Sequence, residues 1–170
     1  EYVARGEVKL TQEGLKIGVR VLRRHRLAER LLTDVLGMKW DEVQSEACML
    51  EHAISERVED RLVEFLGDPQ TCPHGRPIPP RDLSDPVHAG VPLAQLDEGV
   101  SAKVYGVTEE VPEILRYLGE VGLMPGASVE VREKAPLGGP VTISVAGKEF
   151  PISLELARMV TVEEAPVAAR

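Results

Sequence analysis

Residues 46–52 read EACMLEH. Cys48, Glu51 and His52 stand three and four positions apart, so on a helix they are surface neighbours. A thiolate, a carboxylate and an imidazole are common transition-metal donors. His25 and Glu29, four apart, form a second donor pair upstream. An exposed His–Glu pair at that spacing is also ordinary surface electrostatics, worth about 0.2–0.5 kcal/mol. A half-buried cysteine is equally ordinary in a core. What favours chemistry is the meeting of three donor types within one turn, with a further pair on a helix of the same small region. Facing helices that each carry donors are a usual way to build a metal site. A mixed S/N/O set suits Fe(II), Co(II), Ni(II) or Zn(II), and a closed tetrahedron would favour zinc. Such ligands bind deprotonated, so affinity falls at low pH.

The elements that position these residues can be read from periodicity. Thr11 is a good N-cap, and Leu15, Val19, Leu22, Leu27, Leu31 and Val35 recur at helical spacing until Gly37. This predicts a long helix over about 12–37, basic through RVLRRHRLAER. A second helix is expected from Asp41, a plausible cap, to Ile54. A third is expected from Ser55, with apolar positions Val58, Leu62, Phe65 and Leu66 and a stop at Gly67. The opening EYVARGEVKLTQEG reads as two strands, residues 2–5 and 7–11, turning at Arg5–Gly6. A lone hairpin is marginal in water, so it should belong to a larger unit. Residues 68–98 are proline-dense and read as a partly extended linker. Beyond them SAKVYGV, ASVEVREKA, PVTISVAG, KEFPIS and MVTVEEA read as short strands, with VPEILRYLGEVG as a helix between the first two. That pattern suggests a small barrel.

Composition narrows the function classes. Aromatics are only 4% of the 170 residues, so the core must be built from Leu, Val, Ile and Ala. A net charge of -8 argues against this stretch gripping nucleic acid by charge alone. Cys48 and Cys72 give no disulfide framework, which indicates a reducing, cytoplasmic compartment. No apolar run is long enough to span a membrane, and no signal-peptide pattern opens the sequence.

Four segments in order, HRLAERLLTDVLG, EACMLEH, ISERVEDRL and CPHGRPIP, closely resemble the diphtheria toxin repressor family of iron- and manganese-dependent transcriptional regulators. The likeness spans most of residues 1–80, with a weaker match to the family's SH3-like domain over about 100–165. The resemblance implies an α+β chain with a winged helix-turn-helix remnant, its wing hairpin, over 1–13. A helical dimerisation and metal-binding domain would follow over 14–80, a Pro-rich linker over 81–98, and a small SH3-like, FeoA-like barrel over 99–166. It implies a homodimer that binds operator double-stranded DNA when loaded with metal and represses metal-uptake genes. The recognition helix and the first helix are expected before residue 1.

By the same resemblance Cys48, Glu51 and His52 match the primary regulatory site, which a Met from the first helix completes in iron-type members. His25 and Glu29 match an ancillary site, where Gln44 stands in place of a frequent His. Glu109 and Glu110 are the nearest barrel candidates for that site, and Arg26 matches an anion-binding position. Arg5 and Lys9 fall in the wing and are implied DNA contacts. Manganese-type members typically carry Glu where this chain has Cys48, so the thiolate points to Fe(II), with Mn(II), Co(II), Ni(II) or Zn(II) as alternatives.

Rival readings are a manganese-responsive regulator, a non-haem metal enzyme and a pure interaction module. An enzyme usually needs two His and a carboxylate around open positions. Here the sharp cluster has one His and a thiolate, and no nucleophile–base pair stands out, so no enzyme is expected. Cys72 and His74 raise a second metal reading, but the Pro-Gly density favours a packed turn closing the helical domain. Arg20, Arg23, Arg24 and Arg26 read as a solvated face, or as partners of acids on the third helix, rather than as phosphate contacts. The barrel is expected to supply ancillary ligands or to bind the proline-rich segment.

Overall fold

The computed structural model describes residues 9–81 and 90–164. Arg5 and most of the expected wing lie outside the described residues. Residues 9–11, the end of the second expected strand, form no strand, and Lys9 is exposed there. The described residues fall into two compact units. The first runs to Cys72 and resumes at Pro77, and the second takes Pro73–Arg76 and the stretch from Gly90 onward.

In the helical unit, α1 spans Gln12–Arg30, and the Thr11 side chain accepts from the Gly14 N–H at 3.1 Å. One π-helical turn, Leu31–Val35, continues α1, and Gly37 at φ +69° ends it. Helix α2 is Val43–Leu50, shorter than the expected 41–54. Asp41 is not its cap: Glu42 holds that position without a side-chain bond, and the Glu42 N–H closes a turn on the Lys39 carbonyl instead. Helix α3, Glu56–Phe65, begins one residue after the expected start, with Ser55 as its cap. Ala28 and Leu32 pack with Val43, Ala47, Ile54 and Leu62 to form the core. Leu15, Leu22, Val58 and Phe65, expected on buried stripes, are exposed.

The basic stretch of α1 has two jobs within this unit. Arg23 and Arg24 each donate Nε to one oxygen of buried Glu59 on α3, at 2.8 and 3.0 Å, so the expected pairing with third-helix acids is found. Arg23, Arg26 and Arg30 also donate to the carbonyls of Pro79, Pro77 and Thr71. Their three- and four-residue spacing puts them on one helix face. The segment they bind is proline-rich, and prolines offer carbonyls but no N–H, so outside donors must satisfy it.

The second unit is one antiparallel sheet in the order β1-β6-β2-β3-β4-β5. Its strands are β1 Val91–Pro92, β2 Ser101–Val107, β3 Ser128–Lys134, β4 Val141–Val145, β5 Lys148–Ile152 and β6 Val160–Glu164. The register shifts at Val104/Gly106 and Val131/Glu133. Irregularities of this kind bend strands, as small barrels require. Helix α4, Pro112–Val121, buries Leu115, Leu118 and Val121, and ends at Gly122 in the left-handed conformation. Alternation fills the other side of the core with Val104, Val129, Ile143, Ile152 and Val160. A short helix, α5 (Leu154–Met159), precedes β6 and had no counterpart in the sequence reading.

Two stretches depart from the expected organisation. Val91 and Pro92, within the expected linker, pair with Val162 and Thr161, and the following Leu93 and Leu96 are buried. Two apolar anchors outweigh proline density there. Pro73–Arg76, expected to close the helical domain, instead pack on β2, where the His74 carbonyl accepts from the Val107 N–H at 2.9 Å. Gly75 makes this possible: at φ +84° a Cβ would lie 2.0 Å from the Tyr105 carbonyl oxygen.

Candidate metal centre

Helix α1 presents His25 and Glu29 to α2, whose Gln44 and Cys48 lie one turn apart and are followed by Glu51 at its C-cap. His25 is at the middle of this group. Its Nδ1 lies 2.7 Å from Glu51 Oε2 and 3.9 Å from Cys48 Sγ. Its Nε2 faces Gln44 Oε1 at 3.2 Å and Glu29 Oε1 at 3.4 Å. His25 is buried and Glu29 fully so, while Cys48 is at the surface. One donor atom each from His25, Cys48 and Glu51 lies within 4.8 Å of the others.

Burial opposes charge on His25, but hydrogen bonds to Glu29, Glu51 and Gln44 and the Glu29 charge outweigh it. Its pKa is pushed up from 6.5 to about 9, so the ring is an imidazolium at neutral pH when no metal is present. The sulfur, nitrogen and oxygen donors are those that bind Fe(II), Co(II) or Zn(II), so the residues fit a divalent ion.

The sequence reading placed Cys48, Glu51 and His52 together and gave His25 to a separate site. The structure gathers Cys48 and Glu51 but leaves His52 aside. Its side chain is 73% exposed, and its Nε2 meets the other Glu51 oxygen, Oε1, at 3.2 Å. Helix α2 ends at Leu50, residues 51–53 form a turn, and the His52 side chain lies at the surface. The remaining sequence signal is the spacing of Gln44, Cys48 and Glu51, steps of four and three that form one stripe.

His25, Glu29 and Gln44, expected as ancillary ligands, do lie together. In the second unit Glu109 is exposed on the loop before α4, and Glu110 pairs with Arg76 at 3.0 Å, with His74 Nδ1 3.9 Å away. Arg26, expected beside an anion, is buried and donates to the Pro77 carbonyl. Cys72 is fully buried in the helical unit.

The family model "Iron dependent repressor, metal binding and dimerisation domain" matches residues 11–80, and the "FeoA domain" matches 91–164. The chain is similar to the iron-dependent repressor IdeR of Mycobacterium tuberculosis, 41% identical over 92% of this chain and 73% of that protein. It is 35% identical to the diphtheria toxin repressor of Corynebacterium glutamicum over 92% and 72%. A solved manganese-dependent transcriptional repressor in complex with manganese superposes with a TM-score of 0.86 at 32% identity, covering 95% of this chain and 77% of that one.

Proposed function

The chain belongs to the diphtheria toxin repressor family of metal-dependent transcriptional repressors, and we propose that the signal it reads is an Fe(II) ion held by Cys48, Glu51 and an imidazole. It is a transcriptional regulator, not an enzyme. The observation that carries the metal reading is the convergence of a thiolate, a carboxylate and an imidazole from α1 and α2 within 4.8 Å. When bound, the ion supplies positive charge that draws these donors together. The thiolate favours iron over manganese, since manganese prefers oxygen donors. Manganese is the second reading, supported by the manganese-dependent repressor that superposes on this chain.

The chain's own residues do the rest. Glu59, bonded to Arg23 and Arg24, holds α3 against α1, and the Ala28–Val43–Ala47 core holds α2 there, so the donors of α1 and α2 share a rigid base. Leu15, Met49, Val58 and Phe65 expose apolar surface on the three helices of the dimerisation domain. Pairing two copies through that surface gives a homodimer. The dimer would set the spacing of two DNA-reading domains on operator DNA. Moving such an equilibrium from 1:99 to 99:1 needs about 5.5 kcal/mol of differential ion affinity, within reach of several ligands acting on one ion.

The chain spans 73% of the IdeR sequence it matches, so the test uses the full-length product of its gene. Fluorescence anisotropy with promoter DNA of a metal-uptake gene should show binding with Fe(II), loss on chelation, and no Fe(II) response in Cys48→Ser. Equal DNA affinity with and without chelator would end the proposal.

A further inference from the structure

We infer that the pocket between α1 and α3 is a binding site for a small oxyanion of the phosphate class, independent of the metal reading above. The pocket encloses about 160 Å³ and is lined by Arg20, Arg23, Arg24, Glu56, Glu59 and Arg81. All six belong to the helical unit. Arg26, the position to which the family resemblance gives an anion, is not part of this lining and donates to the Pro77 carbonyl.

Charge argues for it first. Four guanidiniums face two carboxylates in the pocket, a positive excess in a chain whose net charge is -8. Asp60, outside the lining, offsets part of that excess by pairing with Arg81 at 2.6 Å. Glu59 serves two cations at once, Arg23 at 2.8 Å and Arg24 at 3.0 Å. Among the described residues neither Arg20 nor Glu56 has an ion-pair or hydrogen-bond partner for its side chain. A cleft lined by one dominant sign of charge focuses its field on an incoming counter-ion.

The donors argue for it again. A guanidinium carries five N–H groups and no acceptor. Arg24 spends its Nε on Glu59, and Arg23 spends Nε on Glu59 and Nη1 on the Pro79 carbonyl. The N–H groups left over call for acceptors, and a tetrahedral oxyanion offers several, which the planar fork of arginine meets in pairs. A planar carboxylate, with one charge and two oxygens, would answer fewer of them. The set is also held ready. Arg20, Arg23 and Arg24 share one face of α1. The side chains of Arg23 and Arg24 are only 13% and 20% exposed and are fixed by their bonds to Glu59 and Pro79. Little side-chain freedom is lost when the anion arrives.

The test is isothermal titration calorimetry of sodium phosphate into the chelated full-length protein at neutral pH, with chloride holding the ionic strength constant. Saturable binding of one phosphate per chain is expected, with sulfate as a competitor. Arg20→Ala should weaken it about tenfold by removing a charged donor. Glu56→Gln should tighten it about threefold by removing a negative charge from the wall, a gain that a damaged fold cannot produce. Arg132→Ala, on the exposed surface of the sheet unit, should leave the affinity as it is. Heats no larger than those of chloride, affinity unchanged in Arg20→Ala or Glu56→Gln, or equal weakening in Arg132→Ala would each overturn the inference. Because the titration is run in chelator, its failure leaves the metal reading standing.

Discussion

His25 holds a proton beside Cys48 and Glu51 at neutral pH. With a folded pKa of about 9 against 6.5 in the unfolded chain, its ion pairs stabilise the metal-free fold fully below pH 6.5. That contribution disappears as pH rises through about 9. In chelator, urea unfolding of the wild type should therefore show a loss of at most about 3 kcal/mol between pH 6 and pH 9.5. His25→Gln should show little change over the same range. Glu59 makes a second prediction at this scale. It is buried and accepts from two arginines, so Glu59→Ala strands both charges and should cost about 3 kcal/mol in denaturant unfolding. Cys48 and Glu51 were legible in the sequence because three-residue spacing survives to the C-cap of α2. His52, expected in the same set, has a side chain that is 73% exposed and meets Glu51. The pairing of His25 with Glu51 depends on how α1 crosses α2, and spacing along one helix carries no record of that.

At the scale of elements, caps and stops were the readable part. Thr11, Gly37, Ser55 and Gly122 each mark a helix boundary through backbone chemistry that is local in sequence. The reach of Arg23, Arg26 and Arg30 to distant carbonyls was not local, and periodicity missed it, as it missed the π turn at Leu31–Val35. Gly75 gives an element-scale test. Gly75→Ala combines a left-handed φ with a Cβ 2.0 Å from the Tyr105 oxygen, so it should destabilise the β unit by more than about 2 kcal/mol. Gly147→Ala, at φ +78° with nothing within 4 Å, carries only backbone strain and should cost about 1 kcal/mol. Thermal melts of the two variants, with equal losses as the contrary outcome, separate contact from conformation.

For the whole molecule, the chain joins a dimerisation and metal-binding unit to a FeoA-type sheet, and no helix among the described residues is long and apolar enough to cross a membrane. Exposed Phe65 at 69% and Val58 at 47% are expected to meet a second copy. Sedimentation equilibrium should give a dimer, and Phe65→Ser should shift it toward monomer by tenfold or more in Kd. Unchanged association would place the dimer surface elsewhere.

The most direct measurement is iron K-edge X-ray absorption on anaerobic, Fe(II)-loaded protein. One sulfur scatterer is expected in the iron coordination sphere, lost in Cys48→Ser, together with imidazole scattering. Iron surrounded by oxygen alone, with spectra indifferent to Cys48, would contradict the account.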